Sequence, residues 1–166
     1  HLRELSQKII HECKLIPVAS GSFVGCFINL DLTRKIGLPI TEFFIYGDDI
    51  EYTYRLRREK RGYLDIDSAV LHKAPSNIGA NIESVEKARL DRFYYQFRNG
   101  IYNARKYKKK KRKAVDIMRR IYHIIRMAPD SKMKRIWILM KGTIAGFFFN
   151  PKIEYPDTRK GNDANE

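Results

Sequence analysis

The chain has 166 residues, enough for one domain with a real core and too few for two comfortable ones. Apolar residues make up 43% of it and aromatics 12%, which excludes a disordered chain. The formal charge of +14 is unevenly placed: residues 1–100 hold 15 Lys/Arg against 13 Asp/Glu, whereas residues 101–166 hold 18 against 6, so the first part reads as an ordinary globular body and the last third as a surface suited to an anionic partner.

Residues 1–12 show a helical apolar rhythm in Leu2, Leu5 and Ile9. Cys13 and Cys26 are the only cysteines, which does not make a disulfide scaffold and points to a reducing compartment. His11 and Cys13 could begin a zinc site, but no further ligands at zinc spacing follow them. Residues 14–19 and 22–29 read as strands broken by Ser20-Gly21. The second run is so continuously apolar that it suggests a central strand buried on both faces. Asp31 is suited to cap a short helix ending at Gly37, and Pro39 opens a loop. Residues 43–46 are an apolar approach to a helix that starts at Asp48 and runs to about Lys60, with Gly62 beyond it. Residues 63–66 and 69–72 are short strand candidates.

From about Ile82 the period becomes that of long helices. Leu90, Phe93, Tyr94, Phe97 and Ile101 form one stripe, and Val115, Met118, Tyr122 and Ile125 a second. The third is Met133, Ile136, Trp137, Met140, Ile144 and Phe148. Pro129-Asp130 separates the last two helices, Asn150-Pro151 ends the third, and the tail after Tyr155 is polar.

The acidic stretch Asp48-Asp49-Ile50-Glu51 admits a plain reading. Asp48 at an N-cap with Glu51 three residues on resembles a capping box, and the helix dipole favours a carboxylate in the first turn. No backbone donor needs Asp49, however. Its surroundings carry a resemblance. Ser22-Phe23-Val24-Gly25, Lys35-Ile36-Gly37-Leu38-Pro39, the run from Phe43 through Tyr52, and Arg55-Leu56 follow one another in order. Gly62-Tyr63, Ala69-Val70-Leu71-His72 and Tyr94-Tyr95-Gln96-Phe97-Arg98-Asn99 continue the series. This succession, over about residues 15–105, resembles bacterial family 2 glycosyltransferases, especially the galactofuranosyl- and rhamnosyltransferase-like branch. Each motif alone is weak; their order is what is specific.

The resemblance implies an α/β fold, the C-terminal half of a GT-A (Rossmann-like) domain over residues 1–81, followed by a helical basic region over 82–155 and a polar tail over 156–166. It implies Asp49 as the general base that takes the acceptor hydroxyl's proton, with Asp48 holding the turn or touching acceptor hydroxyls. It implies His72 as a ligand to a divalent metal, Mn2+ or Mg2+, which acts as a Lewis acid on the departing diphosphate. The other metal ligands of such enzymes lie in an upstream Asp-x-Asp motif, expected before His1 together with the nucleotide-binding strands. Asp65-Ile66-Asp67 lies in the wrong place for that motif and reads as a solvated turn. In processive relatives a Gln-x-x-Arg-Trp motif falls near residues 95–99. Here Tyr95 and Asn99 replace its ends and Arg98 is kept, so all three are candidates for substrate contact.

Residues 105–113 hold eight cations in nine positions. Nucleic acid and an anionic membrane face are the competing partners. The stripes that follow, flanked by Arg119, Arg120, Arg126, Lys132, Lys134 and Arg135, favour the membrane. The expectation is therefore a cytoplasmic transferase, peripheral at the inner face of the cell membrane. It takes a nucleotide-sugar donor and a glycan or lipid-linked acceptor; the rival is a basic nucleic-acid-binding module without catalysis.

Overall fold

A computed structural model describes residues 14–73, 81–107 and 113–156 as a mixed α/β chain. The helix expected over 1–12, His11, Cys13 and the centre of the basic run at 108–112 lie outside the described residues. The chain divides into two compact units. One holds His1–Ile40, Asp49–Lys73 and Lys152–Glu166; the other holds Thr41–Asp48 and Ala74–Pro151.

In the first unit, strand β1 (Leu15–Val18) pairs antiparallel with β2 (Gly62–Asp65), Leu15 opposite Asp65 and Val18 opposite Gly62. The central strand expected over 22–29 does not form. Gly25 turns the chain at φ +69°, and Phe27 is 97% exposed. A strand buried on both faces needs neighbours to cover it, and among the described residues β1 and β2 pair only with each other. Residues 69–72 are likewise irregular, with Val70 and Leu71 exposed. Of the Asp65-Ile66-Asp67 segment, read from sequence as a solvated turn, Asp65 ends β2 while Ile66 and Asp67 bend, and both aspartates are exposed. Asp65 accepts from the Ser68 hydroxyl and, at 3.1 Å, from the Asp67 N–H, and the Ser68 bond leads the interactions that lower its pKa.

Helix α1 (Leu30–Ile36) is capped by Asn29, not by Asp31. The Asn29 Oδ1 accepts from the N–H groups of Asp31 at 2.8 Å and Leu32 at 3.4 Å. Asp31 instead pairs with Arg34 at 2.9 Å. Gly37 ends the helix at φ +85° in a space no other residue fits, since a Cβ there would come within 2.3 Å of the Ile153 side chain. The Leu38 N–H donates to the Glu154 carbonyl at 2.7 Å, closing the seam.

Helix α2 (Asp48–Glu59) buries Glu51 and Tyr52. Arg55 is its organising side chain. It holds the Glu51 carboxylate through two nitrogens at 3.1 and 3.0 Å and donates to the carbonyls of Ile36 at 2.7 Å and Leu38 at 2.9 Å. That fork joins the Lys35–Pro39 motif to Glu51 and to the Arg55-Leu56 pair, a physical reason for them to occur together. Glu51, read from sequence as part of a capping box, is the buried partner of this guanidinium.

The second unit is helical. A 3-10 segment (Lys87–Arg92) leads into α3 (Phe93–Lys106), followed by α4 (Lys113–Met127) and α5 (Lys132–Phe148). Ile82, Leu90, Phe93, Ile124, Ala128, Ile138 and Leu139 form its core. The stripe expected on α3 supplies part of that core, but on α4 and α5 most of the described members of the expected stripes face out, Ile136 packing partly against the core. Met118, Tyr122, Ile125, Met133, Trp137, Ile144 and Phe148 are all more than half exposed. Close helix packing explains the choice on α5. Gly142 and Gly146, one turn apart, let its backbone reach α3, where a Cβ would lie 2.6 Å from the Tyr94 carbonyl in one case and 2.6 Å from the Arg98 carbonyl in the other. The small-residue face is therefore inside and the bulkier one outside. Arg135, counted from sequence among the flanking surface cations, is fully buried, and donates to the carbonyls of Asp130 (2.9 Å) and Ile82 and to the Asp130 carboxylate.

Glycine substitutions separate the two kinds of position. Gly146→Ala should lower unfolding stability by about 1–3 kcal/mol through overpacking. Gly100→Ala, also helical but with nothing within 4 Å of a new Cβ, should raise it by about 0.5–1 kcal/mol. Denaturant titration of the two variants checks both signs.

Candidate functional site

The segment before α2 takes an unusual backbone path. Phe44 (φ +60°), Tyr46 (φ +66°) and Gly47 (φ +81°) all lie in the left-handed region. The Ile45 N–H closes a three-residue turn onto the Phe43 carbonyl at 2.6 Å, with Phe44 at its centre. Bulky residues enter this region only where neighbours hold them there.

Those neighbours are side chains of α3. The Asn99 amide nitrogen donates to the carbonyls of Phe43 (3.0 Å), Ile45 (3.1 Å) and Tyr46 (2.8 Å). Its amide oxygen accepts from Arg98 Nε at 3.0 Å, so the partners on both sides demand this orientation of the amide. Asn103, one helical turn on, donates to the Gly47 carbonyl at 3.1 Å. Arg98 donates to the Glu42 carbonyl and lays its guanidinium 3.9 Å from the ring centroid of Phe149. Burial lowers the pKa of that guanidinium, while the adjoining tyrosines Tyr94 and Tyr95 and Glu42 favour its charge. Phe43 is fully buried against Tyr102 and Phe149, with ring centroids at 5.5 and 5.8 Å, and Tyr95 packs on Phe44 at 5.1 Å.

Of the residues singled out from sequence, Tyr95, Arg98 and Asn99 thus come together, and they converge on the 42–47 segment. Asn99 has no exposed surface, and its amide is committed to the backbone. Asn103 was missed. Its signal was the four-residue spacing from Asn99 on one helix face. Asp48 and Asp49 are both half-buried at the start of α2. Contrary to the expectation that no backbone donor needs Asp49, its Oδ1 accepts from the Ile50 N–H at 2.7 Å, and Thr53 fastens the same turn by donating to the Asp49 carbonyl at 2.7 Å while accepting from the Gly21 N–H at 3.0 Å.

His72 is exposed in an irregular segment of the first unit. Among the described residues no group of three or more His, Cys, Asp or Glu stands together to hold a metal ion. Cys26 is half-buried, and burial pushes its thiol pKa up, as expected for a packing residue. A cleft of about 490 Å³ opens in the second unit, lined by Gln96, Gly100, Arg119, Arg120, His123 and Thr143 among others, and none of the six residues proposed from sequence borders it. Among the described residues no helix is long and apolar enough to cross a membrane.

The Asn99 grip has a pH signature. Asn99→Asp replaces a donor with a carboxylate facing three carbonyls, and burial with those carbonyls should raise the pKa of the introduced carboxyl above its unfolded value by more than the Arg98 guanidinium at Oδ1 lowers it. Its stability should be retained below the unfolded carboxyl pKa, where the acid can still donate, and lost as pH rises through the raised one. Thermal unfolding from about pH 4 to about pH 8 should therefore show a slope in Asn99→Asp that Asn99→Ala lacks.

No family model, curated protein or solved structure matches the chain.

Proposed function

We propose that this chain is the acceptor-side half of an inverting family 2 glycosyltransferase of the GT-A fold, moving a sugar from a nucleotide-sugar donor to a cell-surface glycan or lipid-linked acceptor. The observation that carries the reading is the Asp48-Asp49 turn, set within the ordered motifs and preceded by a segment that α3 holds in a left-handed path. A helix cap alone requires no such support, since a capping side chain needs only an ordinary extended approach. Backbone forced into rare conformations and tightly held is characteristic of turns that present a functional group.

In this reading the Asp49 carboxylate takes the proton of an acceptor hydroxyl. The hydroxyl oxygen bonds to the anomeric carbon on the side opposite the nucleoside diphosphate, whose bond to that carbon breaks, and the configuration inverts. Such a base contributes ~10²–10⁴-fold. Asp48 faces acceptor hydroxyls or steadies the turn. Tyr95, Arg98 and Asn99 serve the substrate side by fixing the segment that leads to it. His72 would hold one position of a divalent metal, Mn2+ or Mg2+, whose carboxylate ligands belong to a nucleotide-binding half. That metal would neutralise charge on the leaving diphosphate. The chain alone is accordingly inactive, and its working place is the cytoplasmic face of the cell membrane.

The test uses the longer chain that this reading requires. Asp49→Asn should reduce transfer by about 10²-fold or more while leaving donor affinity within a few-fold of wild type. Turnover equal to wild type in that variant would remove Asp49 from the chemistry.

A further inference from the structure

Helix α5 carries apolar side chains on two opposite sides. Ile138, Leu139, Gly142, Thr143 and Gly146 are buried. Opposite them Met133, Trp137, Met140, Ile144, Phe147 and Phe148 remain in solvent, Phe148 at 83% and Trp137 at 66% exposure. At helical spacing these six positions fall within an arc of roughly 100°. The helix contains no Asp or Glu; exposed Lys132 borders the arc on one edge, and Lys134 and Lys141 border it on the other. Helix α4 repeats the pattern on a smaller scale, with Met118, Tyr122 and Ile125 exposed at i, i+4, i+7 and Arg119 and Arg126 exposed beside them.

From this exposed arc we infer that the outer face of α5 is a docking surface for an anionic lipid bilayer, with the helix lying in the plane of the interface. Three occupants could cover an apolar arc rimmed by lysines. A second copy of the chain brings like charge to like charge, since residues 101–166 hold 18 Lys/Arg against 6 Asp/Glu. Nucleic acid meets the lysines, and an unpaired base can stack on an aromatic ring such as Phe148, but it offers little cover for the aliphatic Met133, Met140 and Ile144. An anionic bilayer satisfies both, accepting the apolar arc into the headgroup–acyl boundary while its headgroups meet the rim. Trp137, toward the edge of the arc that Lys134 and Lys141 border, is the residue type that favours that boundary. At 17 residues with Lys141 inside it, the helix is too short and too interrupted to span, so docking is shallow. The inference rests on exposure and charge and stands whether or not Asp49 is catalytic; with a lipid-linked acceptor, it would bring the protein to its substrate.

Trp137 is the only tryptophan in the chain, so intrinsic fluorescence reports this face and no other. The full chain is titrated with vesicles of mixed phosphatidylglycerol and phosphatidylcholine, and separately with phosphatidylcholine alone. The expected result is a blue shift of Trp137 emission with the anionic vesicles, quenched by acyl-brominated lipid, and little response to the neutral ones. The double substitution Ile144→Ser with Phe148→Ser, at exposed positions, should weaken partitioning by about tenfold or more at an unchanged unfolding midpoint. The inference is overturned if no anionic vesicle binding occurs, or if the chain sediments with vesicles while Trp137 emission stays unshifted, which would assign binding to the basic run. It is equally overturned if the double variant partitions like wild type. A blue shift that appears with rising protein concentration in the absence of vesicles would hand the face to a second copy, and a shift produced only by an oligonucleotide would hand it to nucleic acid.

Discussion

One side-chain amide organises the most informative part of this protein. Asn99 points a single nitrogen at three carbonyls within the four residues 43–46, and it does so with no exposed surface. A buried carbonyl left unpaired costs about 1–3 kcal/mol; the Phe43 carbonyl keeps the Ile45 N–H, so part of this cost falls on the half-buried carbonyls of Ile45 and Tyr46. A donor in this place therefore determines the path of the backbone, more than it adds a contact. The left-handed residues Phe44, Tyr46 and Gly47 are consequences of that grip. Arg98 and Asn103 extend the same control to Glu42 and Gly47 at either end.

Much of the element order could be read from the chain itself. The antiparallel strands at 15–18 and 62–65, the helix starting at Asp48 and the three helices after residue 92 fall where turn residues and periodicity place them. What failed has a common cause. Periodicity identifies an apolar face but not what will cover it, so the run at 22–29 looked like a core strand although the described residues supply no neighbour for it. On α5 the larger side chains marked one face as core, whereas backbone proximity to α3 selected the face with Gly142 and Gly146. Asn29 in place of Asp31 as the α1 cap is a shift of two residues, the ordinary imprecision of helix boundaries.

Within the candidate site the residue types were legible and their partners were not. Arg98 and Asn99 stand out in sequence because a cation and an amide interrupt an aromatic stretch, but nothing local reveals that they reach back more than fifty residues to main-chain carbonyls. Arg135 shows the same limit in reverse. A basic residue in a basic helix reads as surface, yet the carbonyl of Ile82 and both polar groups of Asp130 draw it into the interior. Side chain-to-backbone bonding over long sequence distance leaves no periodic trace, so it is the class of interaction that sequence reading misses most readily.

The seam between Gly37 and residues 153–155 bears on how the first unit folds. Leu38 bonds to Glu154, and the space beside Gly37 is filled by Ile153, so a short helix is finished by residues more than a hundred positions further along the chain. Closing a loop of that length is entropically slow compared with forming the local helices of residues 93–148. Those helices therefore form ahead of the seam, and completion of the strand-bearing unit waits on the meeting of two distant stretches of chain.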